Sequence, residues 1–339
     1  MASRIFFPDL EANWMWPRRV NPHTPEIKQE CLEWVGRFGA FTPAAQKAFD
    51  KCDFNQLRSA CDLMNLFFIF DEHSDKCNGD EVWNQVDIIM DAFHFPEKPR
   101  PEGEWIGGEV ARQFWSRIIG ISTPTFQKRF LDTWEEYLQG TAQQAEDRCR
   151  SKKVICDIAT YLTVRRRTIG ARPSFNIIEI DMDLPDEVVG HPTIRELELL
   201  ATDLTIIAND ILSYNKEQAS GDDEHNLITI VMKEQNTDVQ GAIDWTAKLH
   251  AEMIHRFNKL YLFEIPKWGG PLDLDVQSYV NGMAQWVGAY VQWSYESERY
   301  FGKRGLEVKK TRMLSLLPKN SKVNGQGEIG PVVLDDLSL

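Results

Sequence analysis

An all-α fold is what this sequence predicts, and three observations predict it. Apolar residues recur at helical spacing along nearly the whole chain, whereas strand-like alternation is scarce. Helix-start signals precede periodic segments, as at Pro25-Glu26 and at Thr42-Pro43. No interior linker and no repeat of fixed period divides the chain. The expectation is a single-domain helical bundle around a central apolar cavity over residues 1–318, with a flexible tail over 319–339.

The elements follow in order. One helix opens at Pro25-Glu26 and runs toward Phe38, and the next starts at Pro43. Residues 54–75 read as one long helix ending in acidic residues, and Gly79 to Phe93 restarts. The Pro-, Gly- and charge-rich stretch from Phe95 to Gly108 reads as a surface connection. Helices then follow at about 109–119, 123–147, 151–169, 173–180, 193–216, 225–234, 237–263 and 274–301, with loops at 181–192 and 265–275.

The chain has 339 residues, enough for one large core or two ordinary ones. Its 42% hydrophobic and 26% charged residues are the balance of a soluble globular protein. A net charge of -13 argues against a nucleic-acid backbone as partner, since phosphate binding needs a basic footprint. No stretch reaches the roughly 18 apolar residues of a membrane span, and no apolar leader precedes Asp9 and Glu11. The six cysteines lack C-x-x-C pairing and read as reduced thiols, so a cytoplasmic location without stable membrane insertion is expected.

Two acidic helix segments carry the chemistry. Asp71, Glu72 and Asp75 follow the apolar run Leu63 to Phe70. Asn209, Ser213 and Glu217 stand four residues apart, which on a helix places them on one face about 6 Å apart along the axis. Each set alone has an ordinary reading as a solvated face. Carboxylates near a helix C-terminus oppose its dipole, however, which argues mildly for a purpose at Asp71 and Asp75. Together the two sets read as walls of hard oxygen ligands facing one cavity. Such ligands suit Mg²⁺, which completes its shell with phosphate and water, so a diphosphate held by metal ions is inferred.

Other residues fit that reading. Lys216 supplies a cation beside Glu217. Arg165, Arg166 and Arg167 point about 100° apart, so at most two face a common cavity, and a basic solvated face accounts for the others. Gly170 permits a helix break close to them. Trp286, Tyr290, Trp293 and Ser297 form a stripe that is ordinary core in most helices, but it leads to the donor pair Arg299-Tyr300. Phe67 and Phe68 lie one turn before Asp71, giving a polar rim with hydrocarbon below. The sequence has no phosphate-binding Gly loop, no nucleophile elbow and no H-E-x-x-H.

Over roughly residues 5–315, these elements in this order resemble the class I terpene synthases, specifically the fungal (basidiomycete-type) sesquiterpene synthases. Asp71 to Asp75 is similar to the family's D-[DEN]-x-x-D motif, Asn209 to Glu217 to its N-D-x-x-S-x-x-[KR]-E triad, Tyr161 to Gly170 to its diphosphate-sensor segment, and Arg299-Tyr300 to its R-Y pair. The resemblance implies the class I terpenoid synthase fold and Mg²⁺-dependent ionisation and cyclisation of farnesyl diphosphate. It implies three Mg²⁺ ions, two on Asp71 and Asp75 and one on Asn209, Ser213 and Glu217. It implies Arg166, Lys216, Arg299 and Tyr300 on the diphosphate, Arg166 being chosen over Arg165 by register, and a Gly170 carbonyl pointing at the forming cation. Phe67, Phe68 and Trp293 are the candidate aromatic wall, and Gln218 to His225 the candidate lid. Product and oligomeric state stay open. The rivals are a chain-elongating prenyltransferase, which normally carries two D-D-x-x-D motifs, and a non-catalytic helical scaffold.

Overall fold

The structure is a computed structural model that describes residues 4–19, 24–42, 58–149 and 157–319. The first half is built on aromatic packing. Helix α1 (Thr24–Gly36) lies against α2 (Arg58–Ser74), which buries Leu63, Leu66, Phe67, Ile69 and Phe70. Asn78 opens α3 (Gly79–His94) with a capping box: it accepts from the Glu81 N–H at 3.1 Å, and Glu81 accepts from the Asn78 N–H at 2.9 Å. α3 packs on α4 (Gly107–Ile119) and α5 (Pro124–Cys149). The Phe130 ring stacks between Trp115 at 5.2 Å and Trp134 at 5.8 Å, joining α4 to α5.

The second half wraps one buried helix. Asp157 caps α6 (Ile158–Thr168), which breaks at Gly170 into α7 (Ala171–Asn176). After the short α8 (Asp186–Val189), the long α9 (Pro192–Ser220) starts with proline at its first position and ends at Gly221 in the left-handed conformation, φ 91°. α9 is surrounded by α6, α10 (Leu227–Glu234), α11 (Val239–Phe263) and α12 (Pro271–Glu296). That enclosure is why Ala201 to Ala208 is buried all round. Two short helices, α13 (Glu298–Phe301) and α14 (Gly305–Thr311), lead to β2 (Met313–Ser315), which pairs antiparallel with β1 (Arg4–Phe6).

The all-α expectation holds, and most helices lie within a few residues of where periodicity puts them. The differences have local reasons. The helix expected over 274–301 is two helices, because Ser297 is extended (φ -74°, ψ 152°). α9 runs to Ser220 rather than 216. α8, α14 and the two strands are too short to carry a period. The helix start at Pro43, the beginnings of the helices expected over 54–75 and 151–169, and the tail beyond 319 lie outside the described residues. The last described residues are held down: Asn215 Oδ1 accepts from the Leu317 N–H at 2.8 Å, and Gln218 Nε2 donates to the Leu317 carbonyl at 2.8 Å. Among the described residues no helix is long and apolar enough to cross a membrane.

Candidate active site

The C-terminal half of α9 presents Asn209, Ser213 and Glu217 on one face, as their spacing requires. Asn209 is fully engaged: Nδ2 donates to Tyr290 Oη at 2.6 Å and Tyr300 Oη at 3.2 Å, and Oδ1 accepts from Arg165 Nη2 at 3.0 Å. Glu217 accepts from Asn226 Nδ2 at 2.9 Å. Burial, reinforced by the nearby Asp210 charge, pushes the Glu217 carboxyl above its ordinary pKa, against the pull of Asn226 and Arg165. Between them the Ser213 hydroxyl is buried with no hydrogen-bond partner.

The turn after α9 is fastened beneath this face. Asn226 is completely buried; its Oδ1 caps α10 by accepting from the Ile228 N–H at 2.8 Å, which turns its amide nitrogen toward Glu217 and the Asp210 carbonyl. The Asp210 carboxylate accepts from the Leu227 N–H at 3.0 Å, and the Tyr161 hydroxyl lies between that carboxylate and the His225 carbonyl. Asp210 is therefore an anchor of the turn. The candidate lid over Gln218 to His225 is shorter than expected, because Gln218 to Ser220 are helix and Gln218 is buried.

The other bank stands at the end of α2. Asp71 is half-buried and accepts from Tyr137 Oη at 3.0 Å. Burial, with the nearby Asp75 carboxylate, pushes the Asp71 carboxyl up to about 6, while Tyr137, Arg299 and Arg165 oppose the shift. Asp75 is exposed one residue past the helix, and Glu72 is turned away in an ion pair with Lys76.

The R-Y pair joins the two banks. The Arg299 guanidinium lies 4.7 Å from the centre of the Phe68 ring on α2, while the next residue, Tyr300, reaches Asn209 on α9. Phe68 thus seats Arg299. Trp293 packs its ring against Tyr290 at 5.8 Å and Tyr300 at 6.1 Å, next to Asn209. Lys216, half-buried, precedes Glu217 on the same helix.

At the helix break the structure places two of the expected residues. Arg166 Nε and Nη2 each donate to the buried Asp203 carboxylate at 2.7 Å. Arg165 is the one that reaches Asn209, with Asp210 at 3.5 Å, and its Nε is buried without a partner. Burial works against its charge, yet Tyr161, Asp210 and Glu217 hold its pKa above the ordinary value. The other is Gly170. The break is there, with φ 72°, but its carbonyl is turned into α7, accepting from the Ser174 N–H at 3.3 Å and the Ser174 hydroxyl at 2.8 Å. What Gly170 provides is room: a Cβ would sit 2.9 Å from the Phe67 ring. Gly170→Ala is therefore expected to cost about 1–2 kcal/mol from the left-handed backbone alone. It should also displace Phe67 and alter the product profile, read by thermal melting and by gas chromatography–mass spectrometry.

The donor set fits divalent cations together with an anion. Ser213 offers a buried oxygen and Arg165 a buried N–H, neither used by the protein. Among the described residues no three His, Cys, Asp or Glu side chains converge as a ready-made cage. Asp71 and Asp75 on one side and Asn209, Ser213 and Glu217 on the other would leave phosphate oxygens to complete the coordination.

Comparison with known proteins decides the family. The terpene synthase family 2 C-terminal metal-binding domain matches residues 62–256. The chain is 49% identical to a Delta(6)-protoilludene synthase of Armillaria gallica, covering 99% of both chains. The chain belongs to the terpene synthase family. This terpene synthase is also 50% identical to a Delta(6)-protoilludene synthase of Stereum hirsutum, over 98% of this chain and 92% of that one. Its fold is similar to that of the germacradien-4-ol synthase of Streptomyces citricolor, with a TM-score of 0.70 at 24% identity over 83% of this chain and 96% of that one. The class I terpenoid synthase fold is thereby shown, and the family's metal-binding region contains both oxygen-rich banks.

Several residues of this terpene synthase site escaped the sequence reading. By spacing Tyr290 reads as part of a core stripe, register alone favours Arg166 over Arg165, and Tyr137 and Asn226 carry no signal as partners of Asp71 and Glu217. Asp203 did carry a signal. A carboxylate inside the apolar run Leu200 to Ile207 needs a cationic partner, and Arg166 is that partner.

Proposed function

We propose that this terpene synthase is a sesquiterpene cyclase that ionises farnesyl diphosphate with three Mg²⁺ ions, in one domain over 1–318, and forms Delta(6)-protoilludene. The observation that carries the reading is the bridge between the banks: Arg299 on Phe68 of α2, and Tyr300 and Arg165 on Asn209 of α9. The names of the relatives support the product. A cytoplasmic location is proposed on the six cysteines' lack of C-x-x-C pairing.

In this reading Asp71 and Asp75 would hold two cations and Asn209, Ser213 and Glu217 the third. Bound Mg²⁺ supplies Lewis-acid stabilisation of the departing diphosphate. Arg165, Lys216, Arg299 and Tyr300 would donate to diphosphate oxygens, Arg165 being the arginine of α6 that contacts Asn209. Phe67 and Trp293 keep water from the allylic cation, and each desolvated ring stabilises positive charge by about 0.5–2 kcal/mol. No protein nucleophile is needed, and the held diphosphate is the base for the final proton loss.

The test is incubation with farnesyl diphosphate and Mg²⁺, with volatiles identified by gas chromatography–mass spectrometry. Delta(6)-protoilludene as main product is the expected result. Another cyclic sesquiterpene would overturn the product and keep the cyclase; no terpene would overturn both. Chain growth on adding isopentenyl diphosphate would favour a prenyltransferase instead.

A further inference from the structure

We propose that Tyr137 is a positioning residue for the first metal bank, and that its hydroxyl decides which Asp71 oxygen is presented to a cation. The inference rests on the reading of Asp71 as a cation ligand. Tyr137 lies in α5, far from both acidic motifs in sequence, and only 3% of it is exposed. Its hydroxyl donates to Asp71 Oδ1 at 3.0 Å. A phenol has one proton to give, and a buried phenol that lost this acceptor would be left unsatisfied. The bond therefore holds Oδ1 against α5 and leaves Oδ2 free to turn toward the opposite bank.

The geometry makes this more than a partner for a core hydroxyl. The Tyr137 ring is clamped by Phe67 at 4.9 Å edge-on, Phe70 at 5.9 Å and Trp134 at 5.3 Å, so the hydroxyl cannot swing away. Phe67 is the ring that meets Gly170 at the helix break. One side chain thus ties a metal-binding carboxylate on α2 to the cavity wall and to the break between α6 and α7. A ligating carboxylate that is itself hydrogen-bonded keeps its orientation, and loss of such an outer partner commonly weakens metal binding about 10- to 100-fold.

Tyr137→Phe removes one oxygen and keeps every ring contact. The Mg²⁺ concentration giving half-maximal turnover of farnesyl diphosphate should rise at least about tenfold. The metal-free melting temperature should stay close to wild type, and Mg²⁺ with inorganic pyrophosphate should stabilise the variant less than the wild type. A Mg²⁺ titration superimposable on wild type would overturn the proposal. So would a shift seen in Tyr137→Leu and absent in Tyr137→Phe, since the ring rather than the hydroxyl would then be responsible. If the wild-type protein shows neither Mg²⁺-dependent turnover nor joint stabilisation, the cyclase reading itself fails. A merely structural tyrosine would lower the melting temperature and leave the Mg²⁺ titration where it was.

Discussion

Glu217→Gln is expected to lower kcat/KM for farnesyl diphosphate by about 10³-fold, a loss of about 4 kcal/mol of transition-state stabilisation, while the fold is retained. The carboxylate sits against Asn226 and beside Ser213, so an amide of the same shape fits and still accepts the Asn226 N–H. What the amide lacks is the anionic oxygen a hard cation requires. In metal-free buffer the variant should melt at or above the wild type. The reason is that burial and Asp210 hold the Glu217 pKa above its ordinary value, so its charge destabilises the folded state at neutral pH. The sign of the pH dependence follows. A carboxyl whose folded pKa exceeds its unfolded one makes stability rise as pH falls through that range, and the Gln variant loses that part of the rise. Mg²⁺ with pyrophosphate should stabilise the wild type and leave Glu217→Gln almost unmoved. A variant that melts as expected yet keeps its turnover would remove Glu217 from the metal bank.

The parts of this site that were legible in sequence are those that helix geometry fixes. Asn209, Ser213 and Glu217 share a face because four residues make just over one turn, whatever surrounds α9. Gly170 could be read as a break because glycine adopts the left-handed backbone without penalty. What was not legible depends on how helices meet. The choice among three consecutive arginines turns on the rotation of α6 against α9, which Asp203 and Asn209 set from different faces of one helix. The Tyr137–Asp71 and Asn226–Glu217 bonds join separate elements, and no local spacing encodes them. A break has two possible owners for the Gly170 carbonyl, and in this structure α7 holds it through Ser174. The division of 274–301 at Ser297 was visible only as a Ser-Glu step inside a continuous period.

The rotation of α6 makes opposite predictions for neighbouring arginines. Arg165→Lys keeps a positive charge among Asn209, Asp210 and Glu217 but loses the planar donor fork. Its kcat/KM should fall about 10²-fold with only a small change in melting temperature. Arg166→Met does the reverse. It leaves the Asp203 carboxylate buried without its bidentate partner, which should cost about 3 kcal/mol of stability, while activity per folded molecule stays near wild type. Adding Asp203→Leu to Arg166→Met should recover most of that loss, because an apolar pair in place of a buried ion pair is often neutral or better. Steady-state kinetics and thermal melting on the four proteins separate the two roles. If Arg166→Met loses turnover while melting like wild type, Arg166 leaves Asp203 to meet the diphosphate when substrate binds. The register assignment would then be right, and the Arg166–Asp203 pair would be a resting-state latch.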